Sequence, residues 1–256
     1  MATLVTLTIG DETWKMQKAS LVSLRTHNKE LRVYCYISLG QSKDSIVDEI
    51  RSLNCIPMDI GHPELLAESN TEEYCNYETP MFNIRTSFKW IALLNTLKET
   101  KEPVIFLDSD ITMCAPLPIE KFENIWTHFP IFVQDEGLSV FPKQACTGLM
   151  GFNYSDFCMR FLELAYREHS SAIASQVSVH DQIIFNTMIS SNIDLYKQIY
   201  YLPQGLFPVG YLGPIYKGFN TSQHRALLNL PEKPILYHAN WAVGYQNKLK
   251  LMGSIS

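Results

Sequence analysis

Apolar residues gather along this chain into short runs rich in β-branched and aromatic side chains, separated by longer stretches with helical spacing. Leu4 to Ile9 reads as a first strand, Glu12 to Arg25 as a helix behind an Asp11 cap, Leu31 to Ser38 as a second strand and Asp44 to Ser52 as a second helix. A βαβα opening of this kind predicts an α/β fold with a mainly parallel central sheet covered by helices on both faces. Residues 61–80 lose the periodicity and carry acids, asparagines, Pro63 and Pro80, so they read as a long loop over one end of the sheet. From about Phe82 to Lys98 a helix places Ile84, Phe88, Ile91 and Leu94 or Asn95 on one face, with Arg85 and Lys89 as neighbours on an adjoining face. Val104 to Thr112, "VIFLDSDIT", is then a buried strand, closed by "CAPLP", whose prolines cannot extend a ladder. Further strands are expected near Pro130–Gln134, Thr147–Asn153 and Ile235–His238, and helices over Ser155–His169 and His180–Ser190. With no repeat and no linker, one domain over residues 1–256 is expected.

Charge narrows the function classes. The formal net charge is -5, and no Lys/Arg stripe tracks a phosphate backbone, which argues against nucleic acid as a partner. No apolar run approaches the roughly 20 residues that span a bilayer, and the start "MATLVTLTIG" lacks the charged segment and long apolar core of a signal peptide. The expectation is a soluble, cytoplasmic chain whose oligomeric state the sequence does not reveal. Cys35, Cys55, Cys75, Cys114, Cys146 and Cys158 form no C-x-x-C pair and no zinc pattern, so they read as reduced, buried small hydrophobes.

The chemistry starts where the strand "VIFL" runs out into Asp108-Ser109-Asp110. Ligands of open α/β sheets collect beyond the carboxyl ends of strands. Two carboxylates this close repel unless a cation lies between them or one is protonated. A divalent cation with hard oxygen ligands satisfies them; a turn in which they cap backbone amides is the plainer reading. The stretch also fits the nucleophile strand of haloacid-dehalogenase-like phosphatases, with Asp108 as nucleophile, although a complete βαβα segment precedes it and no fitting later G-D-x-x-x-D follows. Near the C-terminus, "ILYHANWAVGYQNKLKLM" sets His238 at a strand end, followed by Asn240, Trp241, Gly244 and Lys248. A neutral imidazole completes a Mn²⁺ shell begun by carboxylates, a glycine lets backbone approach a phosphate, and a lysine neutralises one. Seen alone, a histidine there is more often a satisfied polar residue than a metal ligand.

With these segments in order, the chain resembles GT-A-fold glycosyltransferases that use nucleotide-diphosphate sugars and a D-x-D-bound metal. It is most similar to the nucleotide-diphospho-sugar transferases of glycosyltransferase family 77. "TSFKW", "FLDSDITMCAPLP", "CTGLMGFNYSD", "HDQIIFN", "LFPVG" and "HANWAVGYQNKLKLM" carry the resemblance over most of the chain. It implies a nucleotide-binding half over 1–112 and an acceptor-binding half over 113–256. It further implies a metal, Mn²⁺ or Mg²⁺, held by Asp108, Asp110 and His238, with Asp108 also touching ribose. Lys248 would meet the diphosphate, Gly244 and Asn240 would lie beside it, and Lys89 and Arg85 would lie near the phosphates or sugar. Thr8 and Gly10 would flank the base. Asp181 and Gln182 would face sugar and acceptor as the candidate catalytic pair, against the alternative that Asp181 only caps its helix.

Thr147 and Gly148 mark a bend that admits a sugar or simply a bulge, and Trp241 and Phe207 are stacking platforms or core. The expected reaction is transfer from a nucleotide-diphosphate sugar, with UDP ahead of GDP, to a hydroxyl of a glycan or other acceptor, with retention favoured by the resemblance. A non-catalytic nucleotide-sugar or glycan-binding domain is a further alternative to the phosphatase.

Overall fold

The computed structural model describes residues 2–38, 44–61, 79–138, 140–209, 234–240, 242 and 244–255. Strand β1 (Thr3–Leu7), helix α1 (Asp11–His27), β2 (Val33–Ile37), α2 (Asp44–Ser52) and β3 (Ile56–Asp59) come first, and α3 (Pro80–Thr100) and β4 (Val104–Leu107) follow. Next are β5 (Ile111–Met113), α4 (Ile119–Trp126), β6 (Ile131–Asp135), β7 (Ala145–Phe152), α5 (Asp156–Ala174) and α6 (Asp181–Ser190). A short α7 (Ile193–Tyr196), β8 (Ile199–Leu202), β9 (Leu236–His238) and α8 (Tyr245–Ile255) complete the described chain.

The seven-stranded sheet has the order β3-β2-β1-β4-β7-β6-β8. Only the two pairings made by β7 are antiparallel, so the sheet is mainly parallel, as the alternation of elements predicts. Alternation along the strands sends side chains into two cores. Tyr34, Tyr36 and Phe106 join the α3, α5 and α6 side. Val33, Cys35, Ile37, Ile105 and Leu107 join the α1, α2 and α4 side. All four residues of β4 are buried, the unbroken apolar run of a strand covered on both faces.

The structure corrects several expectations. "VIFLDSDIT" is two strands in two sheets: β4 stops at Leu107, and β5 pairs antiparallel with β9 in a separate two-stranded sheet. The first helix is preceded by Gly10 at φ 99, so the chain turns there and Asp11 already lies in the helix. β3, α4, α7, β8 and α8 were not expected at all. The 61–80 loop lies almost wholly outside the described residues, as do Trp241 and most of the segment after Val209. Five cysteines, all those among the described residues, are free.

Candidate active site

The break between β4 and β5 builds the site. The Asp108 amide donates to the Gly148 carbonyl at 2.9 Å, after which the chain leaves the main sheet. β5 then lies against β9 with Ile111 opposite His238, and the Ala239 amide donates to the Asp110 carbonyl at 2.9 Å. Two distant segments are thereby locked in register, and His238 Nε2 sits 3.1 Å from Asp110 Oδ1 and 3.8 Å from Asp108 Oδ2. One ligand atom from each of Asp108, Asp110 and His238 lies within 4.8 Å of the others. Asp110 and His238 are buried and Asp108 is partly open, which leaves the cluster one accessible side.

Two lysines neutralise these carboxylates. Lys248, in α8, donates to Asp110 Oδ2. Lys89, in α3, is buried and lies 3.1 Å from Asp108 Oδ1 and 2.5 Å from Asp181 Oδ2, and it donates to the Thr147 carbonyl at 3.1 Å. Thr147 Oγ1 donates to the same Asp181 oxygen at 2.7 Å. Burial alone would raise the Asp110 carboxyl, but Lys248 and His238 overcome it and hold it well below the usual carboxylate range. Asp181 is depressed in the same way: burial opposes, and Lys89 and His180 prevail. Burial raises the Asp108 carboxyl, and the neighbouring Asp110 charge adds to burial against Lys89. Lys89 is held above its ordinary value because Asp108 and Asp181 outweigh its desolvation.

Local backbone irregularity makes this convergence possible. The β6–β7 register jumps from Val133 opposite Met150 to Gln134 opposite Cys146, so Thr147, Gly148 and Leu149 form a bulge. The bulge turns the Thr147 carbonyl to Lys89. A Cβ on Gly148 would fall 2.0 Å from His238 Cε1, so the space before that glycine belongs to the imidazole. Gly244 precedes α8 at φ 81, and the Lys248 amide donates to the Gly244 carbonyl at 3.1 Å, so the turn sets where Lys248 starts.

The sequence candidates therefore fall into distinct places. Asp108, Asp110, His238, Lys248, Lys89 and Asp181 converge. Arg85 and Lys89 are buried rather than on a solvated face, and Arg85 donates to the Ile9 carbonyl at 3.2 Å, beside the end of β1 where Thr8 and Gly10 lie. Asp181 opens α6, but the helix has no side-chain cap and this carboxylate turns to Lys89 and Thr147 instead. Gln182 donates to Glu136 Oε2 at 3.3 Å. Phe207 is 2% exposed and packs 5.9 Å from Phe122, so it belongs to the core. The pattern gave no sign of Glu136, buried after β6, or of Cys146, whose Sγ lies 3.4 Å from His238 Nδ1 and accepts from Asn240 Nδ2 at 3.6 Å. A thiol within an apolar strand reads as a small hydrophobe, and only the fold brings it to His238.

A family model described as nucleotide-diphospho-sugar transferase matches residues 65–252. Comparison with curated protein sequences gives no match. Among solved structures, mouse xyloside xylosyltransferase 1 in its apo form aligns at TM-score 0.61 and 13% identity, over 93% of this chain and 97% of that one. Galactosyltransferase LgtC in complex with donor and acceptor sugar analogs aligns at 0.60 and 12%, over 98% and 96%. The glycosyltransferase GlyE of Streptococcus pneumoniae TIGR4 aligns at 0.62 and 14%, over 100% of this chain and 62% of that one. At these identities the likeness is one of fold, the GT-A architecture.

Proposed function

The chain belongs to the nucleotide-diphospho-sugar transferase family, and on that premise we propose that it transfers a sugar from a UDP-sugar to an acceptor hydroxyl, dependent on a divalent cation and with retention. It is a glycosyltransferase, which sets aside the phosphatase and the purely binding alternatives. The observation that carries the finer reading is the buried convergence of Asp108, Asp110 and His238 with Lys248 beside them. The donor set, hard carboxylate oxygens with one imidazole, suits Mn²⁺ or Mg²⁺. Asp108, Asp110 and His238 would hold the ion. When bound, it would supply positive charge against the departing diphosphate.

The chain's own residues complete the reaction. Lys248, paired with Asp110, would pass to the diphosphate and stabilise the charge that develops as the bond to the anomeric carbon breaks. Asn240 and the Gly244 turn lie on the same segment and would line the diphosphate. Thr8, Gly10 and Arg85, at the end of β1, would flank base and ribose, making residues 1–112 the nucleotide half and residues 113–256 the acceptor half. Asp181 is kept ionised by Lys89 and Thr147 and would face the positive charge on the sugar as a fixed anion. Gln182, held by Glu136, would meet the acceptor.

The pairing of the carboxylates supports the retaining reading. Asp108 is paired with Lys89, Asp110 with Lys248, Asp181 with Lys89 and Thr147, and Glu136 with Gln182. With these carboxylates of the described residues engaged, the acceptor hydroxyl would attack from the leaving-group face and give its proton to the departing phosphate. Incubation with UDP-glucose, UDP-galactose, UDP-xylose and GDP-mannose in Mn²⁺, scored by nucleotide release, tests the reading. UDP release that falls about 100-fold or more in Asp110→Ala is expected. Equal release by that variant, or cleavage of a generic aryl phosphate with no nucleotide sugar turnover, would refute it.

A further inference from the structure

His238 has two ring nitrogens, and a cation would use only Nε2. The other, Nδ1, faces the Cys146 sulfur at 3.4 Å, and both residues are almost completely buried. Asn240 Nδ2 donates to the same sulfur at 3.6 Å. Cys146 lies in a fully buried strand, where a thiol keeps its hydrogen. Histidines that bind metals are oriented by the partner of their second nitrogen, commonly a carboxylate or carbonyl. Such partners only accept. A thiol donates and accepts.

We propose that Cys146 is the positioning residue of His238, holding the imidazole through Nδ1 both without and with a divalent cation by reversing the direction of one hydrogen-bond chain, Asn240–Cys146–His238. The inference rests on reading Asp108, Asp110 and His238 as the cation set. Without a cation, the 3.1 Å contact between Nε2 and Asp110 Oδ1 needs the ring hydrogen on Nε2, because an ionised carboxylate only accepts. In a neutral imidazole Nδ1 is then bare and takes the S–H, while Asn240 donates to the sulfur. A cation requires the Nε2 lone pair. The ring then gives up its Nε2 proton to solvent and takes one at Nδ1, staying neutral, and Nδ1–H donates to the sulfur.

The thiol hydrogen must now find another acceptor, and one is at hand. Asn240 Oδ1 is buried and has no hydrogen-bond partner among the described residues. A half-turn of that amide exchanges Nδ2 for Oδ1 at the sulfur, so the S–H donates to Asn240. The imidazole and the sulfur keep their places, only the Asn240 amide turns, and one hydrogen remains on the ring and one on the sulfur. Gly148 makes the contact sterically possible, since a Cβ there would lie 2.5 Å from His238 Nδ1.

The test is calorimetric titration of Mn²⁺ into the unaltered chain, Cys146→Ala and Cys146→Ser, with thermal melts to establish that each is folded. Alanine should weaken Mn²⁺ by about 10-fold or more, the usual loss for an outer partner of a metal ligand. Serine, which also donates and accepts, should recover most of that loss. In the unaltered chain, ¹⁵N spectra of His238 should report the Nε2–H form in EDTA and the Nδ1–H form in Mg²⁺. A folded alanine variant that binds Mn²⁺ as the unaltered chain does, a serine variant as weak as alanine, or one tautomer under both conditions would overturn the inference and leave the cation site standing. Absence of Mn²⁺ binding by the unaltered chain would bring down both.

Discussion

Lys89 is enclosed by two carboxylates, a backbone carbonyl and the ring of Phe106, 4.6 Å from its Nζ. Removing one partner of a buried ionic cluster leaves charge uncompensated. Lys89→Met should therefore destabilise the fold by about 3 kcal/mol in urea unfolding, and Lys89→Met with Asp181→Asn should restore a good part of it. A neutral single variant, or a double variant no better than the single, would contradict this account of the cluster. Gly148→Ala makes a separate prediction. Its Cβ would displace the His238 ring, so Mn²⁺ affinity should fall while far-ultraviolet dichroism stays unchanged. At this scale the sequence was informative wherever a polar residue ended an apolar run, as at Asp108 and His238, or recurred at helical spacing, as at Arg85 and Lys89. It was silent on Cys146 and Glu136, because what they do depends on neighbours far away in the chain.

Between elements, the decisive feature is the step from β4 to β5. One continuous strand would have carried Asp110 along the main sheet, whereas the step delivers it to β9. Local pattern could not reveal the step, since Ile111 and Met113 are as apolar as the residues of β4. β3 escaped notice because "IPMD" is a short, half-exposed edge strand containing a proline. The helices were more legible: α2 was expected over its observed bounds.

A second link between elements involves His169 in α5. It accepts from Trp90 Nε1 of α3 at 3.2 Å and contacts the Val179 carbonyl at 3.2 Å, two residues before Asp181. Burial lowers its pKa, against the opposing pull of Asp181 and with smaller contributions from His180 and Lys89. A folded pKa below the unfolded one means that the unfolded chain binds the extra proton first. Its contribution to stability is therefore complete above the unfolded value of about 6.5 and is lost as pH falls from there through the folded value. Stability should rise across that window with a slope of up to about 1.4 kcal/mol per pH unit from this group. His169→Gln should flatten the slope; an unchanged slope would contradict the assignment.

Across the whole molecule, a GT-A sheet recurs at sequence identities that carry no information about individual contacts. Several motifs were legible because they end a strand or open a helix: Asp108 follows β4, Asp181 opens α6 and His238 ends β9. Acceptor and donor-sugar preference were not legible, since residues 61–80 and 200–222 have no periodic pattern to fold them. No helix among the described residues is long and apolar enough to cross a membrane.

The net charge of -5 offers an anionic nucleotide no general attraction. Where the cation would sit, the nearest charges are those of Asp108 and Asp110, so a diphosphate would meet carboxylates there until a cation is bound. Calorimetric titration of UDP in Mn²⁺ and in EDTA tests this most directly. Binding in Mn²⁺ that disappears in EDTA and in Asp110→Ala is the predicted result. UDP that binds equally well in EDTA, or fails to bind in Mn²⁺, would contradict the claim that Asp108, Asp110 and His238 hold the cation on which the donor is bound.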